Sequence, residues 1–397
     1  MAKKTNITIN GKEYYRTRKT IGRDREGNPI RKPFYGKNKT ESERQRDEWA
    51  DKRRQGLKID KHQSVTQAMY TWLWNIEYVS GNKNKTFERY EGIYRNYVEK
   101  SDLGYLYLDS IESVTIQQHY TALHNSGSTY SQLKNLNKLL SKFFAYCAQE
   151  RHIISNPCKG IKLGAYKPED QSDLHFNDMD PDLDLEDEGK IETLAEDDLK
   201  KLSNIRNRKL RILARLAVAT GLREGELLAA DVQDVKDMTI CVTKTLSHVK
   251  VFDRQDSYHY EYKVTRPKSK KSKRKVPIPS EMKADLAELN RIRAEEKLKL
   301  GEIYQSNNLL FPSSTGTFID HRNLLRSWKR ALEDIGVDYK KFHALRHTYG
   351  TQLLAKGVDI VTVSRLMGHA SIKTTEIYVH VVKSLKKEAV EVLNSIL

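Results

Sequence analysis

The sequence predicts a multidomain α+β protein. Its 397 residues are enough for two or three domains. Polar and apolar residues alternate in the first 36 positions, whereas apolar residues recur at helical spacing beyond residue 64. We therefore expect a small β-sheet-plus-helix domain over 1–62, an all-α domain over 63–165, a linker over 166–190, and a mainly α domain with a small antiparallel sheet over 191–397.

The composition favours a polyanion as partner, and DNA is the first candidate. The formal net charge is +17, the pI is about 9.4, and aromatic residues lie among the basic ones. On charge alone, a ribosomal or membrane-surface protein is the alternative. Cys147, Cys158 and Cys241 are far apart, which indicates a reducing compartment with no disulfide framework and no zinc site. The start is polar and no apolar run approaches ~18 residues, so we expect a cytoplasmic protein without signal peptide or membrane span.

Residues 1–62 predict two or three short strands followed by a charged helix. The strands fall within ITINGKEYYRTRKTIGRDREGNPIRKPFYG, with turn residues at Glu26–Pro29, and the helix runs from Thr40 to Arg54. Such a sheet could lie in a major groove, and a solvated basic tail with a helical linker is the alternative. The candidate DNA contacts here are basic side chains of the strand region: Arg16, Arg18, Lys19, Arg23 and Arg25.

Residues 63–165 predict four helices. Ser64 precedes the first of them, whose apolar face is formed by Val65, Met69, Trp72, Leu73 and Ile76. The other three begin after Thr86, near Ser113 and near Thr129, and the last ends before Pro157. Basic residues of this region are candidate phosphate contacts and equally ordinary surface residues: Lys83, Lys85 and Arg89.

An acidic segment over 169–188 follows, EDQSDLHFNDMDPDLDLEDE, and it contains no Lys or Arg. Such a block favours an extended, solvated linker between two domains. The alternative is that it competes with DNA for a basic surface of the same chain.

The second half of the chain contains an arginine, Arg223, whose local sequence indicates its position at the start of a helix. The apolar helix LRILARLAVATGL leads directly into Arg223-Glu-Gly-Glu226. An isolated Arg–Glu pair is usually a surface salt bridge, but Gly221 and the preceding helix favour an Arg at a helix start beside a phosphate. Two strands and the basic turn PKSKKSKRKVPIP follow.

The stretch from His343 to His380 carries the strongest chemical signal. It begins HALRHTYG, continues through LMGH and ends TTEIYVH, and helical spacing places His343 and Arg346 on one face. An Arg neutralises phosphate charge, His residues handle protons, and a Tyr hydroxyl can be a nucleophile. These residue types suit phosphoryl transfer by covalent catalysis.

The three linked motifs H-x-L-R-H-T, L-M-G-H and T-T-x-x-Y-x-H resemble the carboxy-terminal signature of the tyrosine recombinases, and A-T-G-L-R-x-x-E-L around Arg223 matches their first catalytic arginine. The resemblance implies that Tyr378 attacks the scissile phosphate to leave a 3′-phosphotyrosine, with Tyr349 as the weaker rival. Charge on the phosphate would be neutralised without a metal or other cofactor. The implied roles are phosphate binding for Arg223 and Arg346, general base for His343, phosphate hydrogen bonding for His369, orientation of the active-site Arg and His for Glu226, and general acid for Lys268, with Lys270 and Lys271 as near rivals.

The resemblance also implies a wider function. It makes residues 1–62 an arm-type DNA-binding domain, 63–165 a core-binding domain and 191–397 the catalytic domain of a mobile-element integrase. Such enzymes work as homotetramers on double-stranded DNA, through a Holliday junction. An excision or directionality factor and a host DNA-bending protein are further implied partners, and the implied location is the nucleoid of a bacterial host. The alternatives are a type IB topoisomerase and a non-catalytic DNA-binding regulator.

The chain ends in a short amphipathic segment, VHVVKSLKKEAVEVLNSIL, with apolar residues at helical spacing from Leu385 to Ile396. A helix this short needs a surface against which to bury its apolar side. We expect it to dock on a neighbouring protomer, and packing on its own catalytic domain is the alternative.

Overall fold

The structure is a computed structural model that describes residues 5–9, 11–24, 26–54, 63–81, 84–166, 191–254, 257–266, 272–379 and 381–382. Several sequence predictions lie outside these residues. They are the acidic segment, the tail helix, and the candidate contacts Arg25, Lys83, Lys268, Lys270 and Lys271.

The chain divides into two compact units. The first comprises Met1–Asp170 together with Lys250–Tyr258, and the second comprises Gln171–Val249 together with His259–Leu397. Both modules predicted before residue 166 belong to the first unit. The predicted boundary between them at residue 62 stays a prediction. Mixed helices and small antiparallel sheets confirm the predicted α+β class.

The first unit begins with a three-stranded antiparallel sheet in the order β1 (Ile7–Ile9), β2 (Lys12–Arg23) and β3 (Pro29–Gly36). Helix α1 (Lys39–Arg54) covers one face of it, because the Ser42 hydroxyl lies 2.8 Å from that of Thr17 and the Trp49 ring packs 5.5 Å from Phe34. Side chains alternate along a strand. Arg16 and Arg18 therefore lie on the face of β2 turned away from α1.

The helical part of the first unit has a continuous apolar core. Its helices are α2 (Val65–Trp72), α3 (Asn84–Tyr97), α4 (Asp102–Tyr105), α5 (Ser113–Asn125) and α6 (Tyr130–Gln149). Ser64 caps α2 and Thr129 caps α6, each through a capping box with a glutamine three residues on.

The predicted apolar face of the first of these helices is wrong at its end. Val65, Met69, Trp72 and Leu73 are buried, but Ile76 is 40% exposed. The reason is a π-helical turn over Leu73–Glu77 that follows α2. An i→i+5 turn holds an additional residue, so it rotates the following side chains relative to α-helical spacing. Trp74 and Glu77 are buried there instead.

The second unit surrounds a larger apolar core. Its helices are α7 (Glu196–Lys201), α8 (Arg208–Thr220), α9 (Glu224–Ala229), α10 (Lys283–Leu300), α11 (His321–Asp334), α12 (Ala344–Ala355) and α13 (Ile360–Met367). Its strands are β4 (Val235–Lys236), β5 (Thr239–Val242) and β8 (Arg274–Pro277), which form one antiparallel sheet. The hairpin β6 (Thr245–Arg254) and β7 (Ser257–Thr265) has its end, Lys250–Tyr258, in the first unit.

The core helices α8 and α12 position residues that the sequence singled out, since α8 leads into Arg223 and α12 carries Arg346. Buried side chains of α8, among them Ile212, Leu213 and Leu216, anchor it in the core. The helix ends at Gly221, which adopts a left-handed conformation with φ +62° that favours glycine.

Among the described residues, no helix is long and apolar enough to cross a membrane.

Candidate active site

Arg223 begins helix α9 and is locked onto Glu226. Its backbone N–H donates to Glu226 Oε2 at 2.9 Å, and its Nη1 donates to Oε1 at 3.1 Å. The left-handed turn at Gly221 ends α8 two residues earlier, so the chain turns at once into α9. The Arg223 side chain is 12% exposed, and that of Glu226 is 3% exposed. The predicted arginine at a helix start is therefore found at Arg223.

Arg274 completes this cluster, and sequence reasoning missed it. It lies at the start of β8, and its guanidinium donates to Glu226 Oε1 at 2.9 Å and to Oε2 at 2.7 Å. Its Nε donates to the Leu366 carbonyl of α13 at 2.6 Å. Arg274 thus connects the sheet, α9 and α13. The only sequence signal was a basic residue at the point where the basic turn becomes a strand.

Arg346 lies in α12 and is almost fully buried, with 2% of the residue exposed. Its Nη2 donates to the Met367 carbonyl at 2.8 Å, and its Nη1 donates to the Gly221 carbonyl. These bonds join α12 to the ends of α8 and α13. Tyr349, the rival nucleophile, packs against Gly221, where a Cβ would clash with its ring. Burial raises the pKa of Tyr349, against the opposing charges of Arg274 and Arg346.

His369 follows α13 at a tight corner. Gly368 caps α13 with φ +69°, and the backbone N–H of His369 donates to the Ser364 carbonyl at 3.0 Å. The ring Nδ1 lies 2.8 Å from the hydroxyl of Thr375, which fixes the ring orientation. His369 is 6% exposed and Thr375 is fully buried.

Tyr378 lies in a helical segment over 373–379 and is 2% exposed. Its ring stacks on His369 with centroids 6.2 Å apart and planes 12° apart. Gly350 of α12 makes room for it, since a Cβ there would lie 3.2 Å from Tyr378 Cε2. The tyrosine hydroxyl lies 3.0 Å from Nδ1 of His347, a second residue that sequence reasoning missed.

His343 stands at the start of α12, one helical turn before His347. The two imidazole rings meet edge to face with centroids 4.8 Å apart. His347 directly follows Arg346 in the motif HALRH, and this adjacency was its only signal in the sequence. The structure therefore brings His343 and His347 together at the start of α12 and puts His347 beside Tyr378.

The electrostatics of the cluster favour an anion. Burial would raise the pKa of Glu226, but hydrogen bonding to Arg274 and the charges of Arg274, Arg223 and Arg346 lower it from 4.5 to about 2. Glu226 is therefore ionised at neutral pH. Three arginines around one carboxylate leave a net positive charge, which suits a phosphate.

The other predicted contacts lie elsewhere. Lys85 and Arg89 belong to α3 of the first unit, where the Arg89 guanidinium packs 5.7 Å from the Tyr90 ring. Arg23 donates to the Gly27 carbonyl at 2.7 Å within the β2–β3 turn. Lys19 lies on the same face of β2 as Thr17, which is the face covered by α1.

Comparisons with known proteins place this site in a family. The phage integrase family model matches residues 192–384. A "Tyrosine recombinase XerC-like" protein of Caldanaerobacter subterraneus subsp. tengcongensis is 40% identical over 406 residues, covering 100% of both chains.

Two solved structures are similar in fold. The Tn1549 transposon integrase in complex with a circular intermediate DNA matches with a TM-score of 0.62 and 19% identity, over 80% of this chain and 94% of that one. The lambda integrase tetramer bound to a Holliday junction matches with a TM-score of 0.57 and 19% identity, over 94% of each chain. The full-length 40% identity, with the family match over the residues that build the site, shows that this chain belongs to the tyrosine recombinases.

Proposed function

We propose that this recombinase cuts DNA at specific sites by attack of Tyr378 on a phosphodiester, and that it rejoins the strands through a 3′-phosphotyrosine and a Holliday junction. The observation that carries the proposal is the environment of the Tyr378 hydroxyl. Tyr378 is buried, its hydroxyl lies within hydrogen-bonding distance of His347, and its ring stacks on that of His369. Arg346 binds the Met367 carbonyl two residues before that histidine.

The site residues have distinct roles in this proposal. Arg223 and Arg346 bind the non-bridging oxygens of the phosphate and stabilise the charge of its transition state. Glu226 fixes Arg223 through two hydrogen bonds. His369, oriented by Thr375, donates to the phosphate. His343 takes part in proton transfer. Lys268 protonates the leaving 5′ oxygen. Side chains supply the positive charge that neutralises the phosphate.

The same proposal extends to DNA recognition. Arg16 and Arg18 lie on the sheet face opposite α1, where a groove could reach them, so residues 1–62 bind arm-type DNA. The helical domain, with Lys85 and Arg89 on α3, binds the core site. Both similar structures described above are integrases, one of a transposon and one a tetramer on a Holliday junction. Their likeness supports a mobile-element integrase that acts as a homotetramer, with a directionality factor and a host DNA-bending protein as accessory partners in a bacterial nucleoid.

Three assays on the full chain test the function. A nicked suicide substrate carrying the crossover site should trap a covalent adduct that survives SDS. Two such sites should recombine when paired. Supercoil relaxation without any site would instead identify a topoisomerase, and specific binding without an adduct would identify a non-catalytic regulator.

A further inference from the structure

The hydroxyl of Tyr378 has a specific polar neighbour. His347 Nδ1 lies 3.0 Å from that oxygen, and the exposed fractions of the two residues are 6% and 2%. The ring centroids are 5.7 Å apart. A hydrogen bond this well shielded from water holds one ring nitrogen at the reacting atom itself.

The surroundings fix both partners. His347 lies in α12, whose Thr348 hydroxyl donates to the Ala344 carbonyl and accepts from the backbone N–H of Leu194. The Tyr378 ring stacks on the His369 ring and passes so close to Gly350 that a Cβ there would lie 3.2 Å from Tyr378 Cε2. The helix that supplies Arg346 to the site therefore also aims an imidazole nitrogen at the nucleophile.

We propose that His347 accepts the proton of the Tyr378 hydroxyl when the tyrosine attacks the scissile phosphate. The proposal rests on the proposed function, because it requires Tyr378 to be the nucleophile. It makes His347, rather than His343, the general base of the cleavage step.

The step uses the neutral form of His347 with its proton on Nε2, in which Nδ1 accepts the hydrogen bond from Tyr378. As the tyrosine oxygen forms its bond to phosphorus, the O–H bond breaks and the proton passes to Nδ1. The bond from phosphorus to the 5′ oxygen breaks in the same displacement, and that oxygen is protonated by the general acid. In rejoining, the 5′ hydroxyl attacks phosphorus and gives its proton back to the deprotonated general acid, while the imidazolium returns its proton to the leaving tyrosine oxygen.

The chemistry of the two groups makes a base necessary. An ordinary tyrosine has a pKa near ~10 and an ordinary histidine near ~6.5, so a free phenolate is costly at neutral pH. Transfer concerted with O–P bond formation avoids that intermediate. A base placed at hydrogen-bond distance contributes roughly 100-fold to 10,000-fold in rate.

The test compares His347→Asn with His343→Asn in the full chain. An asparagine amide occupies the region of Nδ1 and keeps hydrogen-bonding ability, but it cannot take a proton. Single-turnover cleavage of a suicide substrate is measured with Tyr378 and with a site-specifically incorporated fluorotyrosine, whose more acidic hydroxyl depends less on a base. Each rate is divided by that of the otherwise unsubstituted protein with the same tyrosine.

We expect His347→Asn to slow cleavage about 100-fold or more, to leave DNA binding unchanged, and to recover at least tenfold with fluorotyrosine. His343→Asn should show no such recovery. His347→Gln serves as the second variant if the first fails to fold, as judged by thermal unfolding.

Three outcomes would overturn the proposal. Unchanged or faster cleavage by His347→Asn would mean that the histidine is dispensable or only restrains the tyrosine. A slow variant without recovery would assign it a structural role, and recovery in His343→Asn alone would make His343 the base. A covalent adduct formed by Tyr378→Phe would instead refute the proposed nucleophile, which is a distinguishable result.

Discussion

Arg274 grips Glu226 with both terminal nitrogens of its guanidinium, at 2.9 and 2.7 Å from the two carboxylate oxygens. The side chains of this pair are only 5% and 3% exposed. Glu226 in turn holds Arg223, and Arg274 also holds the Leu366 carbonyl. One buried pair therefore sets the position of Arg223 relative to the helix that ends before His369.

The fork geometry of this pair predicts that Arg274→Lys is damaging. Lysine keeps the charge but cannot make two parallel bonds to a carboxylate. We expect a loss of about 1.5 to 3 kcal/mol in unfolding free energy and cleavage slowed about tenfold or more as Arg223 loses its support. Chemical denaturation and suicide-substrate cleavage measure the two effects.

Arg211→Lys is the matched control for that experiment. Arg211 also donates to both oxygens of one carboxylate, that of Glu288, at 3.1 and 3.0 Å, but it does so from Nη2 alone. The side chains of this pair lie on α8 and α10 and are 23% and 21% exposed. Substitution of Arg211 should lower the unfolding free energy much less than that of Arg274 and leave cleavage unchanged. Equal effects of the two substitutions on cleavage would contradict a special role for Arg274.

The pKa of Glu226 predicts a pH dependence of stability. With a folded-state pKa of about 2 against an ordinary 4.5, Glu226 binds fewer protons in the folded state than in the unfolded state between these values. The stabilisation by ionised Glu226 is thus complete above about pH 4.5 and is lost as the pH falls toward 2. Glu226→Gln should cost about 3 to 5 kcal/mol near pH 7, and this cost should shrink in acid.

The measurement is urea denaturation of the unsubstituted protein and of Glu226→Gln from pH 7 to pH 3. The unfolding transition whose midpoint shifts on substitution is the one to follow. A difference in unfolding free energy that stays constant over this range would show that the ionised carboxylate does not stabilise the fold.

The sequence could single out residues whose spacing along the chain carries the information. His343 and Arg346 lie one helical turn apart, and Tyr378 follows His369 within a local segment, so their spacing alone drew attention to them. Arg274 meets Glu226 across 48 residues, and only tertiary packing brings the two together. The burial of Ile76 was predicted wrongly for a different reason. The π-helical turn at Leu73–Glu77 changes the helical spacing on which the prediction relied.

Tyr378→Phe should abolish the covalent DNA adduct and leave DNA affinity nearly intact. The substitution removes only the nucleophilic oxygen, and the charges that carry affinity remain. An SDS-stable adduct on a suicide substrate, scored beside a gel shift, measures both properties. An adduct from the Phe variant would move the assignment to Tyr349.

Lys268→Ala should slow cleavage of normal DNA and be largely rescued by a 5′-bridging phosphorothiolate. A thiolate leaves without protonation, so the loss of a general acid then has little effect. Lys270→Ala and Lys271→Ala are the matched controls in the same turn. Rescue of either of them, without rescue of Lys268→Ala, would assign the acid to that neighbour.

The two faces of the first sheet make the arm-site proposal testable with single charges. Arg18 is exposed on the face away from α1, whereas Lys19, paired with Lys32 in the register, lies on the face that α1 covers. The Lys32 ammonium lies 5.2 Å from the Trp49 ring of α1, in agreement with this assignment. Arg18→Ala and Lys19→Ala therefore remove the same charge from opposite faces.

We expect Arg18→Ala to weaken binding at a second DNA sequence that is distinct from the crossover site. The slope of the logarithm of affinity against the logarithm of salt concentration should fall by about 1, the contribution of one phosphate contact. Lys19→Ala should change either property much less. Footprints of the full chain and of a fragment that starts at Gln63 locate the second sequence, since only the full chain should protect it. Identical footprints, or equal losses of affinity from the two alanine variants, would mean that the module is only a non-specific anchor. A purely electrostatic contact loses the same affinity whichever face of the sheet carries the charge.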